Sequence, residues 1–365
     1  MRRSLVALSL VALTVAAISC GKDPEPVDPT VQDAGVVVDA AVQEDASVQE
    51  DASVQEDASV QEDAGDATDA GTEPDAGDLL DAGLADAGES LPTIWEPVAS
   101  GTAEWLMEVW GSSADDLWAV GKGTILHWDG ATWTSASSPT TSMLLNVWGA
   151  SADEIWVTGF SGSLLRYDGT DWQSADNPAG SSLYGLWGSG ADDVWAVGQN
   201  GEAIHFDGNA WAKVTTGVST WLWSVWGSSP ADVWAVGRGG TILRWQGASF
   251  EAVTELTTAD LFDVWGASAG EVWAVGANGT ILHWNGSAWS TQESGTTETL
   301  HAVWGRSSDD VWAVGKAGTI LHWNGEIWAP ETSGVTVSLW DVWGIGDSTW
   351  AVGDDGVILR GEAAP

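Results

Sequence analysis

Short apolar runs bounded by glycine and acidic residues recur along most of the chain, and the stretch Val303–Trp328, VWGRSSDDVWAVGKAGTILHWNGEIW, is a clear copy. In this stretch V-W-G, D-V-W-A-V-G and T-I-L-H-W each have the length and the β-branched and aromatic content of a strand. The tryptophan that follows N-G begins a fourth run. Dipeptides such as Asp129-Gly130 and Asn285-Gly286 favour tight hairpins because they tolerate positive φ. The pattern predicts units of four short antiparallel strands.

A tryptophan–glycine pair marks each unit and repeats at a nearly constant spacing. The first spacing is 38 residues and the other five are 39, with the tryptophans at Trp110, Trp148, Trp187, Trp226, Trp265, Trp304 and Trp343. Four-stranded units repeated about forty residues apart are typical of β-propeller blades.

The two ends of this array predict how the ring closes. The seventh unit has three strands, and Thr93–Pro97 precedes the first unit like a lone fourth strand, with Trp95 in the place of the usual strand-four tryptophan. Closure would remove an exposed strand edge. We therefore predict an all-β, seven-bladed propeller of four-stranded antiparallel blades over residues 94–361, closed by the N-terminal strand and followed by a tail at 362–365.

Residues 1–20 have the features of a targeting segment. Arg2 and Arg3 precede an apolar core that is short for a membrane span, and the segment ends in A-I-S-C at Cys20, the only cysteine. This ending resembles a bacterial lipobox, which implies cleavage before Cys20 and its acylation. An ordinary signal peptide with an incidental cysteine is the alternative.

Residues 21–93 are predicted to be a disordered acidic linker. Four copies of V-Q-E-D-A-(S/G) are followed by D-A-G repeats, and no aromatic residue lies between Cys20 and Trp95. Such a segment buries too little apolar surface to offset its ordering entropy. The alternative is that its acids bind calcium or a basic partner. The net charge of the whole chain is −42, which counts against nucleic-acid binding because phosphates are repelled.

Most of the repeated aromatic and polar positions are expected to be structural. The chain has 28 tryptophans, and those at repeating positions suit the space between stacked blades. Strand three carries one basic residue in every blade, and an acid lies two residues before the strand-two tryptophan in six blades. We expect structural pairs, because an unpaired buried charge is costly. The basic residues are His127, Arg166, His205, Arg244, His283, His322 and Arg360.

The positions that vary between blades are the candidates for function. They are the pairs just before each V-W-G and the turns between strands two and three, which in propellers surround one mouth of the central channel. An unused, drifting surface is the alternative. The candidate ligand rim consists of Glu108, Asn146, Tyr184, Trp223, Asp263, His301, Trp340 and Asp341.

The unit Gly123–Trp133, GTILHWDGATW, resembles the repeats of the BNR or Asp-box class, including the photosystem assembly-factor type. It is also similar to tectonin repeats, in V-W-A-V-G followed by a short strand and G-x-x-W. The hairpin turn is one residue shorter than in Asp-boxes and Trp128 replaces the usual Ser or Thr, which counts against sialidase-type chemistry. The tectonin resemblance implies a propeller of a kind that includes lectins for bacterial surface glycans.

Together these features predict a lipid-anchored propeller that acts as a non-catalytic binding or scaffold module at the cell envelope, in the outer membrane or at the cell surface. Its partners would be the membrane, through lipid on Cys20, and an envelope glycan or protein, with the propeller itself monomeric. No cofactor and no metal are expected, and the sequence lacks an H-E-x-x-H motif and a P-loop. The alternative function is a glycan hydrolase or lyase that uses Glu108, Asp263 and Asp341 at the channel mouth.

Overall fold

The computed structural model describes residues 93–253 and 256–363, which form seven four-stranded antiparallel sheets. Within these two ranges no α-helix occurs, and no helix has the length and apolar character needed to cross a membrane. Cys20, the predicted targeting segment at 1–20 and the predicted linker at 21–93, apart from Thr93, lie outside the described residues.

The strands follow the repeat. Strand β1 (Thr93–Val98) comes first, and blades one to three then consist of β2 (Leu106–Ser113), β3 (Asp116–Gly121), β4 (Thr124–Trp128), β5 (Trp133–Ala136), β6 (Leu144–Ser151), β7 (Glu154–Gly159), β8 (Leu164–Tyr167), β9 (Trp172–Ser174), β10 (Leu183–Gly190), β11 (Asp193–Gly198), β12 (Ala203–Phe206) and β13 (Trp211–Val214).

Blades four to seven repeat the arrangement. Their strands are β14 (Leu222–Ser229), β15 (Asp232–Gly237), β16 (Ile242–Trp245), β17 (Phe250–Ala252), β18 (Leu261–Ser268), β19 (Glu271–Gly276), β20 (Ile281–Trp284), β21 (Trp289–Gln292), β22 (Leu300–Ser307), β23 (Asp310–Gly315), β24 (Ile320–Trp323), β25 (Trp328–Glu331), β26 (Leu339–Ile345), β27 (Ser348–Gly353) and β28 (Ile358–Ala363).

A tight turn joins strands two and three. In six blades it is a three-residue 3₁₀ turn, at Phe160–Gly162, Gln199–Gly201, Arg238–Gly240, Ala277–Gly279, Lys316–Gly318 and Asp354–Gly356. The middle residue has positive φ in each, for example 57° at Asn278, and a glycine with positive φ follows it. In blade one the pair Lys122-Gly123 replaces this turn, which accounts for the 38-residue first spacing.

The ring closes as predicted. Strand β1 pairs antiparallel with β28, from Thr93 opposite Ala363 to Val98 opposite Ile358, and supplies the fourth strand of blade seven. The pairing begins one residue before the predicted boundary at 94 and extends two residues beyond 361, because these backbone groups complete the ladder. The inner strands contact one another around the whole ring, from β2 through β6, β10, β14, β18, β22 and β26 back to β2.

The hydrophobic core lies between the blades. Strand two is buried along its length in every blade, and seven apolar clusters each join two neighbouring blades. Burying roughly 200 Å² of a tryptophan stabilises the fold by roughly 5 kcal/mol before side-chain entropy is subtracted. The strand-two indole N–H, as in Trp234, has no hydrogen-bond partner among the residues that the structure describes. That loss costs roughly 1–3 kcal/mol, so the apolar gain is the larger effect.

The repeated Trp-Gly pair connects each blade to the next. The indole of Trp187 lies where a side chain on Gly227 would be, so that a Cβ atom there would be 2.6 Å from Trp187 Cη2. The same contact joins Trp110 to Gly149 and, across the closure, Trp343 to Gly111. The glycine is therefore required because it leaves room for the neighbouring blade's tryptophan.

The basic residue of strand three lies beside the predicted acid in six blades and beside Ser348 in blade seven. His127 is 2.7 Å from Asp116, His205 is 2.6 Å from Asp193, His283 is 2.7 Å from Glu271 and His322 is 2.7 Å from Asp310. Arg166 is 2.6 Å from Glu154, Arg244 is 2.6 Å from Asp232, and Arg360 donates to Ser348 at 3.0 Å.

Each of these basic groups also lies against the strand-two tryptophan of its own blade. His283 stacks on Trp273 at 3.9 Å between ring centroids, and Arg244 lies over Trp234 at 4.6 Å. The acid thus orients a cation or imidazole on an aromatic face in the outer half of the blade. Six blades share this arrangement, and in blade seven Ser348 takes the place of the acid. Its recurrence around the ring favours a structural role.

Candidate functional site

The inner strands carry the residues that vary, and a β-bulge sets their direction. The pairing of β2 with β3 shifts between Leu106 and Glu108, and an equivalent shift occurs in all seven blades. Leu106 and Val109 are 0% and 1% exposed, whereas Met107 and Glu108 between them are partly exposed. A bulge re-aims side chains, and here it turns two consecutive residues toward the central channel.

One end of the channel, which we call the mouth, is formed by the segments that lead into the inner strands and by the turns after strand two. Backbone hydrogen bonds join these two features in each blade: Arg238 N donates to Trp221 O at 2.9 Å, and Asp354 N donates to Ser338 O at 3.0 Å. The first residue of each bulge pair lies nearer the mouth, and the second lies one residue deeper.

Five of the seven residues nearer the mouth form a continuous series of ring contacts, which we call the aromatic arc: Tyr184, Trp223, Phe262, His301 and Trp340. The centroid distances between neighbours are 4.7, 5.9, 6.2 and 4.2 Å in that order, and the His301–Trp340 pair is stacked at 18°. All five side chains are partly exposed. Met107 and Leu145 occupy the same position in blades one and two, so the arc spans blades three to seven.

Hydrogen bonds hold the arc in place. His301 Nδ1 donates to the carbonyl of Leu339 at 2.8 Å, and Trp340 Nε1 donates to Asp354 Oδ1 at 2.7 Å. Burial lowers the pKa of His301 to about 4, and the charge of Lys316 lowers it further. His301 is therefore neutral at pH 7, with Nε2 left as its acceptor nitrogen.

The deeper position carries three acids, which we call the channel acids: Glu108, Asp263 and Asp341. Asp263 accepts hydrogen bonds from three blades, at 2.6 Å from Ser224 Oγ, 2.8 Å from Val264 N and 2.8 Å from Val303 N. Asp341 accepts one from Val109 N at 3.0 Å across the closure of the ring. Both aspartates therefore also join neighbouring inner strands.

The channel acids influence one another. Burial raises the pKa of Asp263 to about 6, although the hydrogen bonds that Asp263 accepts act in the opposite direction and lower it. Burial raises the pKa of Asp341 to about 7, and the charge of Asp263 adds to this effect. Burial, followed by the charges of Asp341 and Asp263, raises the pKa of Glu108 well above its usual range.

The structure brings the predicted rim together in two levels. Tyr184, Trp223, His301 and Trp340 lie in the aromatic arc, and Glu108, Asn146, Asp263 and Asp341 lie at the deeper level. The predicted list omitted Phe262, which bridges Trp223 and His301, and Ser224, which donates to Asp263. Both could have been predicted from the repeat, because Phe262 and Ser224 occupy the same two positions of the repeat as the residues on the list.

Three basic residues lie in the turns around the mouth. Lys122 pairs with Glu104 at 3.3 Å, and Arg238 lies over the ring of Trp221 at 5.8 Å. Lys316 is near enough to His301 to lower its pKa. In the described part of the chain, none of the three forms an ion pair with a channel acid.

Gly266–Gly270, G-A-S-A-G, has the spacing of a nucleophile elbow, which requires a strand, a sharp turn and a helix. Here the stretch ends inner strand β18 and leads into β19, and Ser268 Oγ accepts the N–H of Gly270 at 3.3 Å. It therefore belongs to a strand–turn–strand hairpin. No group of three or more metal-binding side chains occurs within residues 93–253 and 256–363.

Solved structures share this fold. No protein-family model matches the sequence, and no curated protein is detectably similar to it. YCF48 bound to a D1 peptide is 19% identical with a TM-score of 0.64, covering 76% of this chain and all of that one. YCF48 from Cyanidioschyzon merolae is 20% identical with a TM-score of 0.61, covering 73% and 98%.

Two other propellers match this structure with similar TM-scores. The virginiamycin B lyase from Staphylococcus aureus, in a catalytically inactive form with quinupristin, is 15% identical with a TM-score of 0.65, covering 74% of this chain and all of that one. The WD40 propeller domain of Doa1 is 13% identical with a TM-score of 0.63, covering 74% and 97%. At these identities the similarity establishes the fold, and binding proteins and an enzyme both have it.

Proposed function

We propose that the propeller is a non-catalytic binding module that holds a segment of a protein partner at the mouth. The aromatic arc carries this proposal, since five ring faces from five blades converge on one opening and remain partly exposed. Aromatic residues dominate recognition sites because they offer large contact area at a small entropic cost. The YCF48 propeller, which has the same fold, is known bound to a D1 peptide.

The test uses the full-length chain in detergent, screened against arrays of envelope-protein peptides and of glycans. We expect peptide hits that Trp223→Ala and Trp340→Ala each weaken at least tenfold. Ile327→Ala should leave them unchanged, because Ile327 is 61% exposed in an outer hairpin, away from the mouth. Hits only on glycans would replace the protein partner with a sugar, and hits unaffected by both tryptophan variants would place the binding site elsewhere.

We also propose that the module is anchored to a membrane of the cell envelope by lipid on Cys20, with residues 21–92 as a spacer. The support is the lipobox-like ending of the first segment and the acidic composition of the second. Several acyl chains would hold the protein firmly, since a single chain binds only marginally. Metabolic labelling with an alkyne fatty acid should mark the wild type and not Cys20→Ser, and equal labelling of both would contradict the anchor.

A glycan hydrolase or lyase is the second candidate, and one observation favours it. Glu108 has a raised pKa and lies near a second carboxyl group, as a general acid would. Binding is nevertheless favoured, because Asp263 uses both carboxyl oxygens to accept hydrogen bonds from neighbouring blades. Release of reducing ends or unsaturated sugars from envelope polysaccharide, abolished by Glu108→Gln, would establish the enzyme.

A further inference from the structure

We infer that the mouth accepts a basic side chain, arginine or lysine, of the protein partner, with its aliphatic part against the aromatic arc and its cationic end paired with the channel acids. This inference rests on the proposed function and specifies the partner's chemistry. It is based on two features that meet in one opening: the faces of the aromatic arc, and acids that form no ion pair with any cation of residues 93–253 and 256–363.

The charge at the deeper level has one sign. The seven equivalent positions hold three acids and four neutral residues, and no base: Glu108, Asn146, Gly185, Ser224, Asp263, Ala302 and Asp341. The chain beyond residue 95 has 8 basic and 32 acidic residues, a difference of −24. A concave site lined by one sign of charge concentrates ligands of the opposite sign.

The cations already at the mouth do not fill the site. Lys122 is paired with Glu104, Arg238 lies on Trp221, and Lys316 lies near His301, with no ion pair from any of them to a channel acid among the described residues. A cation from outside would therefore meet acids that are available for pairing.

Polar groups of the site also lack partners. Within the described residues, Asn146 Oδ1 and Trp223 Nε1 are buried without a hydrogen-bond partner. Buried polar groups are otherwise hydrogen-bonded in most folds, so each exception calls for an explanation. A ligand that brings a donor to the deeper level would complete the hydrogen bonding of Asn146 Oδ1.

The aromatic arc suits a cation better than a neutral group. The faces of tryptophan, tyrosine and phenylalanine attract cations, by about 0.5–2 kcal/mol each depending on exposure. The chain already uses this geometry, since Arg244 lies over Trp234 and reaches Asp232 at 2.6 Å. The mouth offers the same combination, an aromatic face with a carboxyl group nearby, for a side chain supplied by another protein.

The titration of the site sets the pH dependence. The charged and titratable groups around it are the three channel acids, His301, Lys316, Arg238, Asp260, Asp354, Asp355 and the pair of Lys122 with Glu104. Asp263 and Asp341, with pKa values raised to about 6 and about 7, lose protons as the pH rises through this range, while His301, with a pKa of about 4, stays neutral. The mouth becomes more negative, so cation affinity should increase from pH 5 to pH 8.

The experiment presents the full-length chain in detergent with four pools of heptapeptides that have randomised flanks and a fixed central residue. The central residue is arginine, its neutral isostere citrulline, lysine, or Nε-acetyl-lysine. We expect the arginine and lysine pools to be retained at least tenfold more strongly than their neutral counterparts at pH 8. Glu108→Gln and Asp341→Asn should each reduce this preference, whereas Glu326→Gln, which removes an equal charge from an exposed outer hairpin, should preserve it.

Each other outcome has a definite meaning. If neutral and cationic pools bind equally and Trp340→Ala abolishes both, the mouth binds peptides but the inference is wrong. If Glu326→Gln reduces the preference as much as Glu108→Gln does, the attraction belongs to the whole acidic surface, and the inference again fails. If the wild type retains no pool, both the inference and peptide binding at the mouth are wrong.

Discussion

At the scale of single residues, the channel acids are maintained at a cost to stability. Burial raises the pKa values of all three, and the charges of neighbouring carboxylates raise those of Glu108 and Asp341 further. Glu108 gains no hydrogen bond in return within the described residues. Such unfavourable placement is common at functional sites. Asp263 and Asp341 also join neighbouring inner strands through backbone hydrogen bonds, so their structural contribution offsets part of the cost.

Glu108→Gln should therefore stabilise the propeller at high pH. The pKa of Glu108 is raised on folding, so its contribution to stability is fully present below the unfolded value of about 4.3 and is lost as the pH rises through the folded value. Glutamine has no such dependence. We expect a Tm about 2–4 °C above that of the wild type at pH 8, equivalent to roughly 1 kcal/mol, and no difference near pH 4, measured by calorimetry.

Glu326→Gln is the matched control and should leave Tm unchanged at both pH values, since Glu326 is exposed. A loss of stability in Glu108→Gln at pH 8 would mean that the ionised carboxylate has a structural partner.

Some contacts between single residues could be predicted from the sequence, and others could not. The pairing of His322 with Asp310 could be expected, because both types recur at fixed positions in most blades. The proximity of Glu108 and Asp341 could not, because the two are 233 positions apart in the numbering and meet only through closure of the ring. Their raised pKa values depend on that closure and on burial, which no local pattern encodes.

At the scale of elements, the strand boundaries and turns could be predicted from the repeat, since the strands at the same position of each blade share one pattern of apolar residues. The bulge in the inner strand was not predictable, because the residues at its two positions range from glycine to tryptophan. What they share is a direction toward the channel, and only the register of the sheet shows it. The aromatic arc therefore became recognisable as one surface only in the folded ring.

The contact between consecutive blades can be tested at Gly227. A Cβ atom there would lie 2.6 Å from Trp187 Cη2 and 2.9 Å from the carbonyl oxygen of Asp232, so both an indole and a backbone group would have to move. Overpacking of a core typically costs about 1–3 kcal/mol. We expect Gly227→Ala to reduce the free energy of unfolding by at least that amount in urea titrations.

Gly190→Ala is the control for that change, since the nearest atom to its new Cβ would be Asp192 Oδ1 at 3.6 Å, an ordinary contact. Equal effects of the two substitutions would show that the Trp-Gly contact does not limit how closely the blades pack.

At the scale of the whole molecule, the closing blade differs from the other six in how its fourth strand is held. Trp95 Nε1 donates to Glu331 Oε2 at 2.7 Å, whereas the strand-four indole N–H groups of the other blades with a tryptophan there have no partner among the described residues. Glu331 also lies 3.5 Å from His322 Nδ1. Strand β1 is thus bound to its own blade by backbone pairing and to blade six by a side-chain hydrogen bond.

Removal of Thr93–Pro97 from the full-length chain tests this closure. The deletion would strip β28 of most of its backbone partners, expose a strand edge and leave the space filled by Trp95 empty. We expect a loss of Tm on the order of 10 °C or more, with concentration-dependent association through the new edge. Trp95→Phe keeps the strand and a ring but removes the hydrogen bond to Glu331, so it should cost only about 1–3 kcal/mol. If the deletion variant were as stable and as monomeric as Trp95→Phe in calorimetry and sedimentation, the ring would not depend on its N-terminal strand, because the apolar cluster between blades seven and one would then suffice to hold them together.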